Sequence, residues 1–253
     1  MFRSFDLRRR ASDLFASSWA SLPEAASVMM QMMMKTAKAE LRKEVRGRLA
    51  AAAKNGESSE RIAAATMAVL RERFSKNYSK PVRISVYLPM VGREVNTWPL
   101  VASLLSSDSP KFLVSVPKVI GDLSEDMRMV SVTSMQQCKK WPENRWGIPE
   151  ISDEEFEASS NNLDVTDQRF DAVILPGMAF TAHCDRLGHG RGYYDCFLNS
   201  QRAACAHSGK GTPVTIGVAF DEQIFEEVPL DAHDQPLHCV ITPSKSFHRS
   251  STK

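Results

Sequence analysis

LPGMAFTAHCDRLGHGRGYYDCFL, residues 175–198, is the stretch on which the reading of this 253-residue chain turns. The apolar run from Phe170 to Leu175 stops at Pro176-Gly177, which marks a buried central strand of an α/β sheet. A loop follows, and Gly188, Gly190 and Gly192 then alternate ahead of a helix predicted to start near Gly192. Glycines at that spacing let several amide N–H groups converge on one anion. The N-terminus of the next helix adds partial positive charge at the same place. Arg186 and Arg191 bracket the loop with guanidinium groups suited to phosphate oxygens. Asp195, one turn into the helix, is a carboxylate of the kind that holds magnesium beside phosphates. Tyr193 and Tyr194 offer aromatic faces and hydroxyls. The stretch is neither a Walker P-loop nor a GxGxxG dinucleotide fingerprint.

Each piece has a plainer reading. The glycines would form a tight loop, Asp195 would be a helix-start charge, and the tyrosines would pack in the core. What favours the functional reading is cation, glycine, cation, glycine, tyrosine pair and carboxylate within ten residues.

Outward from this stretch, strands and helices alternate. Upstream, a helix from Lys35 carries Leu41, Val45 and Leu49 at i, i+4, i+8, Asn55-Gly56 breaks it, and a second helix runs over 58–74. Residues 82–88 read as a strand, 97–106 as a helix, 112–116 as a strand ending at Pro117, and 127–132 as a weaker strand. A turn-rich passage holds Trp141, Trp146 and Pro149, and 151–168 reads as a short helix and loop. Downstream, 201–213 reads as an exposed loop, 214–220 and 239–242 as strands, and 244–253 as a frayed tail. The alternation predicts a three-layer α/β fold of Rossmann-like type, with a mostly parallel open sheet and helices on both faces.

The bulk properties set limits. A net charge of +2 argues against a broad nucleic-acid surface. No apolar run reaches the roughly 20 residues a membrane helix needs. Cys138, Cys184, Cys196, Cys205 and Cys239 form no CxxC pair and are odd in number, against a disulfide framework or thiolate zinc site. Cys184 and Cys196 flank the glycine motif, and read as buried small hydrophobes rather than reactive thiols. Residues 1–34 form a distinct extension, with Arg3, Arg8, Arg9 and Arg10 among serines and large apolar residues. They are read either as a mitochondrial transit peptide or as a disordered tail, the alternative location being cytoplasmic. Asp6 and Asp13 weigh against the former. The cluster Met29, Met30, Met32, Met33 and Met34 offers an internal start site.

The motif RLG-x-G-x-GYYD, behind a strand ending in PG and a phenylalanine, resembles the signature of the 5-formyltetrahydrofolate cyclo-ligase family. LRKEVRGRL resembles the family's N-terminal basic helix, which places Lys38 and Arg42 at its ATP positions. VYLPMVGREVNT resembles its folate-facing turn, with Leu88 and Glu94 at substrate positions. WGIPE at 146–150 and VPLDAHDQPLHCVIT resemble later elements, the second placing Asp234 at an acidic magnesium position. The likeness spans about residues 35–245, taken as one domain with 246–253 as a tail. Thr181 and Cys184 depart from the family's more usual aspartate and glycine.

The resemblance implies a monomeric enzyme that uses ATP and magnesium to close 5-formyltetrahydrofolate, with or without a polyglutamate tail, to 5,10-methenyltetrahydrofolate. ATP would meet Lys38, Arg42 and residues 186–194, that is Arg186, Leu187, Gly188, His189, Gly190, Arg191, Gly192, Tyr193 and Tyr194. Folate would meet Leu88, Glu94, His189, Gly190, Arg191, Gly192 and Tyr193. Arg186 and Tyr193 are the expected catalytic residues, and Asp195 and Asp234 the expected magnesium ligands. Arg191 or Lys118 is expected to meet the glutamate tail. His189 reads as loop lining ahead of proton handling, and His233 as a structural hydrogen-bonder. Two alternatives stand beside this reading, a non-catalytic nucleotide- or folate-binding module of the same fold and a different enzyme on a similar scaffold, such as a sugar-phosphate isomerase.

Overall fold

The computed structural model describes residues 24–53, 56–74, 80–108, 111–159, 162–163, 169–209, 211–231 and 234–250. Residues 1–23, Asn55 and His233 lie outside the described residues, and with them most of the Arg-rich segment.

Five parallel strands make the centre of the sheet. They are β1 (Val82–Val86), β2 (Phe112–Val119), β5 (Ala172–Leu175), β8 (Val214–Val218) and β10 (Cys239–Ile241). Antiparallel strands extend both sides: β3 (Met127–Val132) and β4 (Asn162–Leu163) beyond β2, and β11 (Ser246–His248) beyond β10. The order is β11-β10-β8-β5-β1-β2-β3-β4. A second sheet of three short strands joins β6 (Ala179–Thr181), β7 (Arg186–Leu187) and β9 (Ile224–Phe225).

Strand parity divides the interior in two. Successive residues of a strand face opposite sides, so Ala172 and Ile174 join one core and Val173 and Leu175 the other. The first core is covered by α1 (Glu24–Ala52), α2 (Gly56–Phe74) and α3 (Trp98–Leu105), through Val45, Leu49, Ile62, Leu70 and Leu100. The second is covered by α6 (Tyr193–Ser208), through Phe197 and Leu198. Two short helices, α4 (Met135–Lys140) and α5 (Asp153–Ala158), follow β3. The three-layer, mostly parallel architecture expected from the sequence is what the chain forms.

Four local expectations need correcting. The first helix starts at Glu24 rather than Lys35, so the methionine cluster is helical, with Met29, Met32 and Met33 exposed. Strand β2 runs through Pro117 to Val119. It pairs with β1 only as far as Ser115, so the missing N–H of Pro117 costs no ladder bond on that side. Most of 201–213 is not loop. Helix α6 continues to Ser208 because Gln201 and Cys205 are buried on its inner face, and Gln201 Oε1 accepts the amide of Phe170 at 3.0 Å. The tail is not wholly frayed either, since Ser246–His248 pair with β10.

The sheet changes winding direction between β1 and β5. From β1 the chain proceeds to β2, whereas β5 proceeds to β8 and β10 on the other side. A ligand crevice is expected at the carboxyl ends of strands flanking such a switch. Leu88, Glu94 and the glycine loop all follow those two strands.

Candidate active site

The glycine loop is built around two guanidinium groups. Arg42, on α1, donates from Nε to the carbonyl of Gly188 at 2.9 Å. Its Cζ would lie 3.2 Å from a Cβ at Gly190, whose φ of +105° also favours glycine. On the other side, Nη1 of Arg186 would lie 3.0 Å from a Cβ at Gly188. Two alternate glycines thus let two cations approach the backbone. Among the described residues no hydrogen bond engages the amides of residues 188–192, so these donors are free to meet an anion. Burial lowers the pKa of the Arg42 guanidinium, and the charge of Asp234 opposes that shift. Arginine remains a cation at neutral pH.

Arg186 sits otherwise than a loop cation would. As a residue of β7 it points inward, only 5% exposed. Nη1 donates to the carbonyl of Pro176 at 3.2 Å, and Nη2 to Oδ1 of Asp195 at 2.7 Å. Nε is buried without a partner among the described residues. Arg186 therefore ties the end of β5 to the first turn of α6 and lies behind the loop. Asp195 is the anion that satisfies this buried cation.

Lys38, also on α1, is nearly buried and donates to Oδ2 of Asp231 at 2.7 Å and Oδ2 of Asp234 at 2.5 Å. The amide of Asp231 donates to the same oxygen of Asp234 at 2.7 Å. An ammonium has three donors, so one remains. Asp231 is a residue the sequence reading missed, although an aspartate three positions before Asp234 was the available signal.

Among the described residues there is no group of three or more His, Cys, Asp or Glu side chains that could hold a metal ion. The two expected magnesium ligands sit in separate ion pairs, Asp195 with Arg186 and Asp234 with Lys38. Of the two, Asp234 suits a divalent cation better. With Asp231 it already forms a two-carboxylate cradle around positive charge, and magnesium beside phosphates needs only one or two carboxylates.

On the turn after β1, Glu94 is 8% exposed. Oε2 accepts the amide of Met90 at 2.8 Å, and Oε1 lies 3.0 Å from Nε2 of His189. His189 thus joins the glycine loop to the turn after β1. Leu88 is buried beside that turn. The two tyrosines diverge. The Tyr193 hydroxyl donates outward to the carbonyl of Gly121 at 3.2 Å. Tyr194 turns its hydroxyl inward, buried and without a partner among the described residues, with Arg186 Cζ 5.9 Å from its ring centroid. Burial, then the charge of Glu94, pushes its pKa far up, although Arg186 opposes this. Tyr87 is raised for the same first two reasons. The neutral phenol of Tyr194 is the one aimed into the interior.

Two further expectations resolve. Lys118 is 3% exposed, with Nζ donating to the carbonyl of Ile151 and paired with Asp153 at 2.7 Å; it does not wait at a pocket mouth. Of the two cysteines expected to be buried beside the glycine motif, Cys184 is, whereas Cys196 is only half-buried; burial pushes the thiols of Cys184 and Cys239 to about 11 and about 12. Buried hydrophobes, not nucleophiles, is the reading these values support.

A protein-family model described as the 5-formyltetrahydrofolate cyclo-ligase family matches residues 34–243. The 5-formyltetrahydrofolate cyclo-ligase of Mus musculus is 30% identical over 216 residues, 84% of this chain and 97% of that protein. A relative from Arabidopsis thaliana, named as mitochondrial 5-formyltetrahydrofolate cyclo-ligase, is 30% identical over 60% of this chain and 55% of that protein. The NMR structure of 5,10-methenyltetrahydrofolate synthetase from Aquifex aeolicus superposes with a TM-score of 0.60 at 25% identity, covering 85% of this chain and 94% of that one.

Proposed function

The chain belongs to the 5-formyltetrahydrofolate cyclo-ligase family, and from that premise we propose that it converts 5-formyltetrahydrofolate to 5,10-methenyltetrahydrofolate at the expense of ATP. The formyl oxygen will not leave as hydroxide at neutral pH. Transfer of the γ-phosphoryl group to it makes phosphate the leaving group, and the neighbouring 10-nitrogen of the folate then closes the ring. The second step is intramolecular, so no nucleophilic side chain is needed.

The chain's own residues have the parts for positioning and charge that such a transfer requires. Arg42, the third donor of Lys38 and the amides of residues 188–192 would meet the triphosphate. Arg186 acts from behind, fixing Asp195 and Pro176 so that the helix start and the end of β5 stay aligned. Glu94 accepts from the pterin edge, held in place by Met90 and His189. Tyr194, with its neutral hydroxyl turned inward, packs beside Arg186 behind the loop, and Tyr193 braces the outer wall. Magnesium, held by Asp234 with Asp231, would neutralise phosphate charge. This moves Asp195 from metal ligand to partner of Arg186. Holding the two reactants in place is worth on the order of 7–11 kcal/mol.

The observation that carries the reading is the convergence of Arg42 on the Gly188–Gly190 backbone beside the Glu94–His189 pair. Purified protein given 5-formyltetrahydrofolate, ATP and magnesium is expected to develop methenyltetrahydrofolate absorbance. Binding of both ligands without that absorbance would favour the non-catalytic module instead.

A mitochondrial location is part of the same proposal, supported by the Arg-rich start and by the name of the Arabidopsis relative. A fluorescent reporter fused to residues 1–34 is expected to enter mitochondria. Diffuse cytosolic signal from that fusion would refute it.

A further inference from the structure

Glu94 is held from two directions. Oε2 accepts the amide of Met90, four residues earlier, which ties the carboxylate to its own turn. Oε1 accepts from Nε2 of His189, which belongs to the glycine loop. Among the described residues, this is the one hydrogen bond or ion pair that joins residues 188–192 to residues 87–96. Tyr193 reaches the turn between β2 and β3 instead, at the carbonyl of Gly121. A carboxylate offers about four lone-pair sites. The bonds from Met90 and His189 use two of them, so a ligand can join the same group without expelling His189.

The loop that carries His189 has little else to fix it. Its amides, from Gly188 to Gly192, are unpaired among the described residues. Gly190 and Gly192 sit at φ +105° and +76°, where glycine moves with a freedom other residues lack. The His189 side chain is 32% exposed. Two side-chain contacts of hydrogen-bond length hold residues 188–190, Arg42 at the Gly188 carbonyl and Glu94 at the His189 ring. An anion that engages the amides would therefore set the position of that ring, and with it one oxygen of Glu94. The entropy of ordering this stretch is lost once, whichever ligand arrives first. The second ligand then meets a site already in order.

We propose that His189 is a positioning residue through which the two substrates strengthen each other's binding: nucleotide fixes the loop, and His189 carries that order to Glu94, which receives the pterin. The proposal rests on the cyclo-ligase reading, in which the loop meets the triphosphate and Glu94 the folate. Coupling of this kind is reciprocal, so each ligand tightens the other by the same factor. The opposite sign is a distinct case. If His189 only occupied Glu94 until folate displaced it, fixing the loop would weaken folate binding.

Equilibrium titration of the full chain with 5-formyltetrahydrofolate tests this, with and without saturating magnesium adenosine 5′-(β,γ-imido)triphosphate, an ATP analogue that does not transfer its γ-phosphoryl group. In the unaltered protein the analogue is expected to lower the folate Kd about fivefold or more, the lower end of usual coupling. Folate should lower the Kd of the analogue by the same factor. In His189→Ala that factor is expected to fall to near one, with each ligand's affinity alone changing less than the factor does. His189→Gln keeps an N–H donor that can reach Glu94, and is expected to keep most of the coupling. A merely structural role would leave the factor unmoved. Coupling that survives in His189→Ala or vanishes equally in His189→Gln, a factor near one in the unaltered protein, or folate weakened by the analogue would each overturn the proposal. Any of these would leave the cyclo-ligase reading standing wherever methenyltetrahydrofolate still forms with ATP. Failure of the unaltered protein to bind either ligand would overturn both.

Discussion

Arg186→Lys is expected to lower turnover by about 10²–10³-fold, the range seen when one preorganised donor is removed from an active site, while the protein stays folded. The reason is geometric. Arg186 grips the carbonyl of Pro176 with one terminal nitrogen and Asp195 with the other, at 3.2 and 2.7 Å. One bond reaches the end of β5 and the other the first turn of α6, so a planar fork fixes the angle between them. A lysine ammonium is a point charge on a flexible stem and cannot reproduce the two fixed directions of a guanidinium fork. It would keep the ion pair with Asp195, and so avoid much of the about 3–5 kcal/mol that a buried charge costs when its partner is lost.

Because Arg186 acts through its neighbours, kcat should fall more than either KM rises, and the melting temperature should change less than in Asp195→Ala. In that variant the guanidinium, 3% exposed at its side chain, would lose the one carboxylate partner it has among the described residues. An unchanged kcat in Arg186→Lys would remove Arg186 from the mechanism.

Arg186 also shows where the sequence stops being informative. Its place beside RLG-x-G was legible, and so was its pairing with phosphate-binding features. Its direction was not. A cation next to a glycine loop reads as facing solvent, whereas the β6–β7 hairpin, closed by Thr181 and Asp185, turns it inward. The same limit hid Asp231. The resemblance singled out Asp234, but Asp231 in the same proline-bearing loop looks like solvated charge until α1 brings Lys38 between the two.

The sheet was easier to read, because β-branched runs such as those of β1, β5 and β8 have one way to be buried on both faces. The length of α6 was harder. Leu198, Gln201 and Cys205 share a helix face at i, i+3, i+7, but a glutamine in the middle position made a polar loop the simpler expectation. The Phe170 amide, just ahead of β5, shows what that glutamine does inside.

Gly190→Ala is expected to raise KM for ATP about tenfold or more with little change in melting temperature. At φ +105° an alanine is strained by about 1–3 kcal/mol. The new Cβ would also lie 3.2 Å from Cζ of Arg42, with both terminal nitrogens at 3.4 Å. The loop and the guanidinium would have to part, breaking the Arg42–Gly188 hydrogen bond and scattering the amides that face the phosphates. A charge-assisted hydrogen bond is worth about 1.5–3 kcal/mol, which corresponds to the tenfold loss or somewhat more. Residues 189–191 are exposed, so the loop can relax outward without disturbing either core. Coupling tests the cause. If the alanine acts by displacing Arg42, then Gly190→Ala combined with Arg42→Ala should bind ATP no worse than Arg42→Ala alone, whereas independent effects would add. Additive losses would mean that the loop meets nucleotide without help from Arg42, and an unaltered KM in the single variant would mean that it does not meet nucleotide at all.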